Sequence, residues 1–258
     1  MSPEKRAIVM IAIGDRPWAA ASARTFAPYA RQVGADLHLV TEDPPPADFP
    51  LADLADRPGR RNKRAYAAKA FYAWKFLEPG AYDRVLVVDD SCLVRRGAGN
   101  LFDLVPPGAC GFTGTSASHA EQSFEVIRQY CAARDLAMPP LDPGCYMNTG
   151  VMLYDRAFRE ALGPDRICEA ADLLYAPYPN QTLTYYLLQR AGVELFRMPK
   201  SYNTIPAMKL GPAARGLLDD ISGFVSPDIQ IYHLTSTFRN RGALVEQMAG
   251  ILLKDWEA

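Results

Sequence analysis

The sequence is most informative at Arg84-Val85-Leu86-Val87-Val88-Asp89-Asp90-Ser91, where an apolar run ends in two adjacent carboxylates. A continuous apolar run of this length is typical of a strand that is buried on both faces of a parallel sheet. Two earlier segments have strand character as well: Arg6–Ile13 predicts a first strand and Asp36–Thr41 a second. Predicted helices separate the three strands. The order is therefore βαβαβ, which indicates a parallel sheet with right-handed crossovers and helices on both faces.

The remaining pattern continues the α/β alternation with no internal repeat and no linker. The first helix is predicted from Pro17 to Val33 and the second over about Asn62–Leu77, ended by Pro79-Gly80. Further strands are predicted at Ala109–Thr113, Val151–Tyr154, Glu194–Arg197 and Ile229–Tyr232, and further helices at Ala120–Arg134, Ala157–Leu174 (interrupted by Gly163-Pro164), Asn180–Ala191 and Arg241–Trp256. We expect one α/β domain over residues 1–258, with a first half of about 1–115 and a second of about 116–258.

Composition excludes several classes of protein. The 258 residues carry 28 Lys and Arg against 29 Asp and Glu, a balance that argues against a dedicated nucleic-acid binder. The five cysteines are scattered and form no CxxC pair, which favours reduced thiols and a cytoplasmic location over a disulfide framework or a zinc site. No apolar stretch is long enough to predict a transmembrane segment.

Asp89 and Asp90 stand where a ligand is expected, because open α/β sheets bind ligands beyond the carboxyl ends of their strands. Adjacent carboxylates repel each other, and a divalent cation or water relieves that repulsion. Three interpretations stay open from these residues alone. The pair could chelate Mg²⁺ or Mn²⁺ together with a diphosphate, perform acid–base chemistry, or form an acidic turn after the strand.

Four other places carry polar chemistry. His233 follows a predicted strand and suits a transition metal such as Mn²⁺, although a structural histidine is the commoner case. Asn148-Thr149-Gly150 suits sugar hydroxyls or a plain turn, and Asn180-Gln181 begins a helix that Asn180 could cap. Lys69 could project from its helix toward a phosphate. There is no GxGxxG, no Walker loop and no Gly-x-Ser-x-Gly, so these motifs support neither dinucleotide redox chemistry, P-loop phosphoryl transfer nor an α/β-hydrolase.

Taken in order, these segments resemble the retaining GT-A glycosyltransferases typified by glycogenin and the bacterial lipopolysaccharide galactosyltransferases. The family's apolar strand and Asp-x-Asp are matched by Val85–Val94, and its Asn-Ser/Ala/Thr-Gly segment by Tyr146–Leu153. Three weaker matches follow in the family's order: Asn180-Gln181, Tyr202-Asn203, and His233 with Arg239. The resemblance runs from the first strand to about Arg241.

The resemblance implies a single-domain GT-A fold that binds a nucleotide-diphosphate sugar, such as a UDP-sugar, across the carboxyl end of the sheet. It implies transfer of a hexose to a hydroxyl of a glycan or small-molecule acceptor, with retention and with help from Mn²⁺ or Mg²⁺. By position, the metal ligands would be Asp89, Asp90, Ser91 and His233. The donor would contact Lys69, Asp89, Asp90, Thr149 and Arg239, and Asn148, Asn180 and Gln181 would lie at the reacting sugar.

Two departures from the family pattern motivate other hypotheses. Ser91 stands in place of the second motif aspartate, and Asn180 in place of an aspartate expected at the donor sugar. A degenerate family member that binds a nucleotide sugar or a partner without turnover is the main alternative. A nucleotidyltransferase is a third, but the Gly-rich basic loop it needs after the first strand is missing. The acceptor is expected to meet the loops at Asp43–Arg61 and Tyr202–Ser226.

Overall fold

The structure is a computed structural model that describes residues 3–45, 63–206, 218–235 and 238–257. Its described strands form a six-stranded sheet in the order β2-β1-β3-β6-β5-β7 and a two-stranded sheet of β4 and β8. The strands are β1 Arg6–Ile11, β2 Ala35–Val40, β3 Arg84–Asp89, β4 Cys92–Val94, β5 Ala109–Gly114, β6 Met147–Asp155, β7 Glu194–Arg197 and β8 Ile231–His233. The helices are α1 Ala19–Val33, α2 Lys63–Phe76, α3 Leu101–Leu104, α4 Ala117–Ala132, α5 Pro164–Glu169, α6 Pro179–Arg190 and α7 Arg241–Glu257.

The predicted α/β architecture is confirmed. Strands β2, β1 and β3 are parallel, as the βαβαβ pattern predicts, and β5 is parallel to β7. Strand β6, whose direction the sequence pattern left open, runs antiparallel between β3 and β5. The larger sheet thus contains strands from both predicted halves of the chain.

The apolar run of β3 is buried on both faces, for the reason the sequence suggested. Val85 and Val87 pack with residues of α2, α4 and α6, whereas Leu86 and Val88 pack on the opposite face with residues of α1 and α3. Each side chain is 0–1% exposed. Full burial of such a side chain contributes about 1.5–3 kcal/mol, so this strand anchors the layers on either side of it.

Because β6 is antiparallel, it begins at the edge of the sheet where β3 ends. Val88 pairs with Val151, so the first residues of β6 lie beside the last residues of β3. Opposite β5, the partner on β6 jumps from Met152 to Asn148 between Phe112 and Thr113. Residues 149–151 therefore bulge from that ladder. Bulges of this kind are common next to active sites, where they change the direction of a side chain.

Strand β8 brings a distant part of the chain to the same edge. It pairs antiparallel with β4, and Cys92 lies opposite His233. Helix α7 follows β8 and packs on α1, sharing a buried cluster that includes Ala21, Val245 and Met248. His233 is thereby held next to the segment that follows β3.

The element boundaries differ from prediction in a few places. The predicted helix at 157–174 is α5 flanked by 3₁₀ turns at Arg156–Leu162 and Ala171–Tyr175, because Pro164 cannot continue a preceding helix. Strand β6 begins at Met147 rather than at position 151, β4 and α3 were not anticipated, and Asn62 lies outside the described residues. No helix of the described ranges combines the length and apolarity needed to cross a bilayer.

Candidate active site

A cavity of about 460 Å³ opens at the carboxyl end of β1 and β3. Ile11 and Ile13 line it from the end of β1, and residues 89–91 from the end of β3. Residues 148–150 line it from the start of β6, because the antiparallel direction of β6 places its beginning at this edge. The location agrees with the general rule for ligand binding in open α/β sheets.

Asp89, the last residue of β3, is held by two partners. Its Oδ1 is ion-paired with Lys69 Nζ from α2, and its Oδ2 lies 3.2 Å from His233 Nε2. Burial by itself raises the pKa of Asp89, but the Lys69 ammonium and the His233 ring outweigh it and hold this pKa well below its usual range. Asp89 is therefore an anion at neutral pH, and both of its oxygens face groups of this chain.

Asn203 fixes the other side of His233. Its Nδ2 donates to Thr113 Oγ1 at 2.8 Å and to Asn148 Oδ1 at 2.9 Å, and its Oδ1 lies 3.0 Å from His233 Nδ1. Asn203 is 7% exposed, so these hydrogen bonds form in a site that water scarcely enters. The Tyr-Asn turn recognised in the sequence therefore positions both His233 and Asn148.

Gly150 lies directly under the imidazole of His233. A Cβ at this position would lie 2.3 Å from Cε1 and from Nδ1 of His233, and 3.0 Å from Asn148 Oδ1. Gly150 has no positive φ, so space alone imposes the glycine. Its N–H donates to Asn148 Oδ1 at 2.9 Å. The Asn-Thr-Gly segment thus packs against the histidine and also lines the cavity.

Two arginines that the sequence motifs do not indicate as site residues reach the same cavity. Arg16 Nε lies 3.1 Å from Asp90 Oδ2, and both Arg16 and Arg241 line the cavity. Their guanidinium carbons lie 5.6 and 4.3 Å, respectively, from the ring centroid of Trp18. Burial raises the pKa of Asp90, the Asp89 charge adds to the rise, and Arg16 opposes it. The available signal for Arg16 is its place in the loop after β1, at the edge where ligands bind.

The start of α6 supplies the remaining candidates. Asn180 is buried, and its Oδ1 accepts a hydrogen bond from Thr184 Oγ1 at 3.2 Å. Gln181 lines the cavity next to it. The Oε1 of Gln181 is buried and finds no hydrogen-bond partner among the described residues. An acceptor in this state costs free energy unless a ligand supplies a donor.

The predicted site residues fall into two groups. Lys69, Asp89, Asp90, Ser91, Asn148, Thr149, Asn180, Gln181 and His233 all line the cavity. Arg239 does not: it is exposed and is absent from the lining, where Arg241 stands instead. Of the segments expected at the acceptor, 46–61 and 207–217 lie outside the described residues.

The residues expected to bind a divalent metal do not fit that task as they are arranged. Mg²⁺ and Mn²⁺ at phosphate sites take mainly oxygen ligands, namely one or two carboxylates, phosphate oxygens and water, and Mn²⁺ can also take a histidine. Here Asp89 faces Lys69 and His233, Asp90 faces Arg16, and Ser91 contributes only a neutral hydroxyl. Among the described residues, no group of three His, Cys, Asp or Glu side chains could hold a metal ion. The donor set therefore differs from the metal site that the resemblance implies.

Solved structures with this architecture are similar over nearly the whole chain. The galactosyltransferase LgtC, solved with donor and acceptor sugar analogues, aligns over 95% of this chain and 96% of its own, with a TM-score of 0.53 and 17% identity. Mouse xyloside xylosyltransferase 1 aligns over 90% and 98%, with a TM-score of 0.51 and 14% identity. A glycosyltransferase involved in glycosylation of the major capsid of PBCV-1 aligns over 93% and 99%, with a TM-score of 0.53 and 13% identity.

No protein-family model matches the chain, and no curated protein matches it in sequence. The sequence motifs nevertheless occur in the order typical of GT-A glycosyltransferases, and the structural similarity indicates the same fold. The chain has the GT-A glycosyltransferase fold, and it resembles the LgtC galactosyltransferase across nearly its entire length.

Proposed function

We propose that the protein is a glycosyltransferase that moves a hexose from a nucleotide-diphosphate sugar, with UDP-hexoses as the first donors to test, to a hydroxyl of a glycan or small-molecule acceptor. One observation carries the proposal. Lys69, Asp89 and His233 come from α2, β3 and β8 and meet at the wall of one cavity at the carboxyl end of the sheet. The proteins of similar fold, whose names describe glycosyltransferases, give the reaction class its direction.

The wall of the cavity suits both parts of such a donor. Lys69 supplies a positive charge for the diphosphate, and Asp89 supplies acceptor oxygens for hydroxyls. The hexose would lie against Asn148, Thr149 and Gln181, which are polar and uncharged. Uncharged groups of this kind can hold sugar hydroxyls while positive charge develops at the anomeric carbon.

The reaction breaks the bond between the anomeric carbon and the diphosphate oxygen, and the electron pair leaves with the diphosphate. The acceptor oxygen forms the new bond to the same carbon, and its proton passes to the departing phosphate oxygen. Gln181 Oε1, buried without a partner among the described residues, is the group we place beside the anomeric carbon or the acceptor hydroxyl. Retention of configuration is part of the proposal through the family resemblance. The metal assistance expected from the sequence is left out, since the donor set does not fit it.

A thermal-shift screen of UDP-, GDP- and ADP-sugars tests the donor, because a ligand that binds only the folded state raises Tm by mass action. Release of nucleoside diphosphate in the presence of glycan acceptors then tests turnover. Asp89→Asn is expected to abolish both the shift and the turnover. Asp228→Asn, at an exposed position, is the matched control and is expected to behave like the wild type. Unchanged donor binding in Asp89→Asn would contradict the assignment of this carboxylate.

A non-catalytic nucleotide-sugar binder is the second candidate, and Ser91 and Asn180 favour it. Both stand where the family carries aspartates. The same experiments separate the two functions. A thermal shift with no release of nucleoside diphosphate for any acceptor or for water supports the binder, and release supports the enzyme. We place either protein in the cytoplasm, supported by five cysteines that are all free.

A further inference from the structure

The charges on the wall of the cavity are unusual for a site built around a metal. Three cationic side chains, Arg16, Lys69 and Arg241, line it together with two carboxylates, Asp89 and Asp90. Among the Lys, Arg, Asp and Glu side chains, the wall carries a formal excess of one positive charge. At a phosphate site a divalent cation is held by one or two carboxylates together with phosphate oxygens and water, whereas here each carboxylate already faces a cationic side chain.

The two carboxylates are already engaged. Both oxygens of Asp89 face Lys69 and His233, and Asp90 faces Arg16. A divalent ion bound to Asp89 would compete with the Lys69 ammonium and would lie against the His233 ring. It would also lack the carboxylate that Ser91 replaces, and the described residues contain no group of three His, Cys, Asp or Glu side chains that could hold it.

Of the three cations, Arg241 has the most N–H donors available for a ligand. It is half-buried, and it forms no ion pair with any described residue. Its guanidinium carbon lies 4.3 Å from the ring centroid of Trp18, so the aromatic face holds it in place without using its N–H groups. Gly242 allows this approach: a Cβ there would lie 3.2 Å from Trp18 Cε3. A guanidinium held in this way retains its donors for a bidentate anion such as a phosphate.

We infer that Arg16, Lys69 and Arg241 hold the diphosphate of the donor without a divalent metal, which rests on the proposed function. Each cation comes from a different segment: Arg16 from the loop after β1, Lys69 from α2, and Arg241 from the first residue of α7. A diphosphate bound between them has positive charge on more than one side. When the anomeric carbon–oxygen bond breaks, the electron pair moves onto the diphosphate, and these cations stabilise the added negative charge in place of a metal.

Calorimetric titration with UDP and with inorganic pyrophosphate, each in excess EDTA and again in Mn²⁺, tests the inference. We expect both to bind in EDTA, with a Kd that changes less than about threefold on adding Mn²⁺. Arg241→Gln is expected to weaken UDP binding in EDTA at least about tenfold, because a charge-assisted hydrogen bond is lost. Arg241→Lys should recover part of that loss. Arg24→Gln, an exposed arginine on α1, is the matched control and should bind as the wild type does.

The outcomes separate the two proposals. UDP binding that requires Mn²⁺ and disappears in EDTA overturns the inference and leaves the proposed function intact. The inference is also overturned if Arg241→Gln and Arg16→Gln unfold like the wild type and bind UDP in EDTA as tightly as the wild type does. Absence of UDP and nucleotide-sugar binding in both conditions overturns the inference and the proposed function together.

Discussion

The Gly150→Ala substitution tests the geometry beneath His233. The added methyl carbon would lie 2.3 Å from two atoms of the imidazole, closer than any van der Waals contact permits. The imidazole cannot easily move, since it is 5% exposed and is held by Asn203 at 3.0 Å and Asp89 at 3.2 Å. Either the ring shifts and loses these partners or the start of β6 shifts.

The expected loss of folding stability has two parts, the cost of overpacking and the cost of lost contacts. Forcing an extra carbon into a well-packed site costs about 1–3 kcal/mol. Weakening the two contacts of the ring adds about 1 kcal/mol for each that is lost. We therefore expect the free energy of unfolding to fall by about 2–4 kcal/mol if one of these contacts is lost and by about 3–5 kcal/mol if both are lost. Because the same ring faces Asp89, we also expect donor binding to weaken.

Urea unfolding followed by tryptophan fluorescence measures the first effect, and calorimetry with UDP measures the second. Gly250→Ala is the matched control. Gly250 is an exposed residue of α7, and a Cβ there meets nothing within 4 Å. The same chemical change should stabilise this helix by about 0.5–1 kcal/mol. If Gly150→Ala unfolds within about 0.5 kcal/mol of the wild type and binds UDP normally, the close packing of His233 on Gly150 is refuted.

Three further predictions concern polar groups that are buried or half-buried. Asn203→Ala should lower the free energy of unfolding by about 2–3 kcal/mol in urea titrations, since three neighbouring polar side chains lose their buried partner. Arg84→Met should cost about 2–4 kcal/mol by the same measurement, because this 2% exposed arginine donates to two main-chain carbonyls; an unchanged midpoint would show that those hydrogen bonds are not formed. Burial lowers the pKa of His38, so the stability linked to its neutral form is fully present above the unfolded pKa of about 6.5 and is lost as pH falls from that value through the lower pKa of the folded state. Thermal unfolding of His38→Phe between pH 8 and pH 5 should therefore show a smaller loss of Tm than the wild type, although His119, whose pKa is lowered as well, keeps part of the dependence.

Much of the fold could be predicted from local sequence. The apolar run of β3 predicts a strand buried on both faces, because consecutive apolar residues place apolar side chains on both faces of a strand, and its end fixes where Asp89 stands. The seven predicted strands all lie in the sheets, and Glu194–Arg197 has the predicted bounds. Pro164 and Gly34 mark helix boundaries for reasons of backbone geometry that hold in any fold.

The candidate site could be predicted as a set of residues but only partly as an arrangement. Lys69, Asp89 and His233 were each selected from the pattern, yet their contact depends on the register of β8 against β4, which no local signal encodes. For the same reason the sequence predicts Arg239 at the cavity, whereas the structure places Arg241 there. Which of two arginines faces a cavity depends on where α7 begins and how it packs against Trp18, and spacing from His233 does not reveal it.

The sequence by itself determined the alternation of strands and helices, the carboxyl end at which polar residues gather, and the glycine in Asn-Thr-Gly, since these follow from local hydrophobic pattern and local sterics. The tertiary structure decided which charges meet. It pairs Asp89 with Lys69 and Asp90 with Arg16, and it brings Arg241 to the same wall. Electrostatic interactions depend on distance through space, and segments as far apart in the chain as those of Arg16 and Arg241 come close only when the sheet and helices have packed.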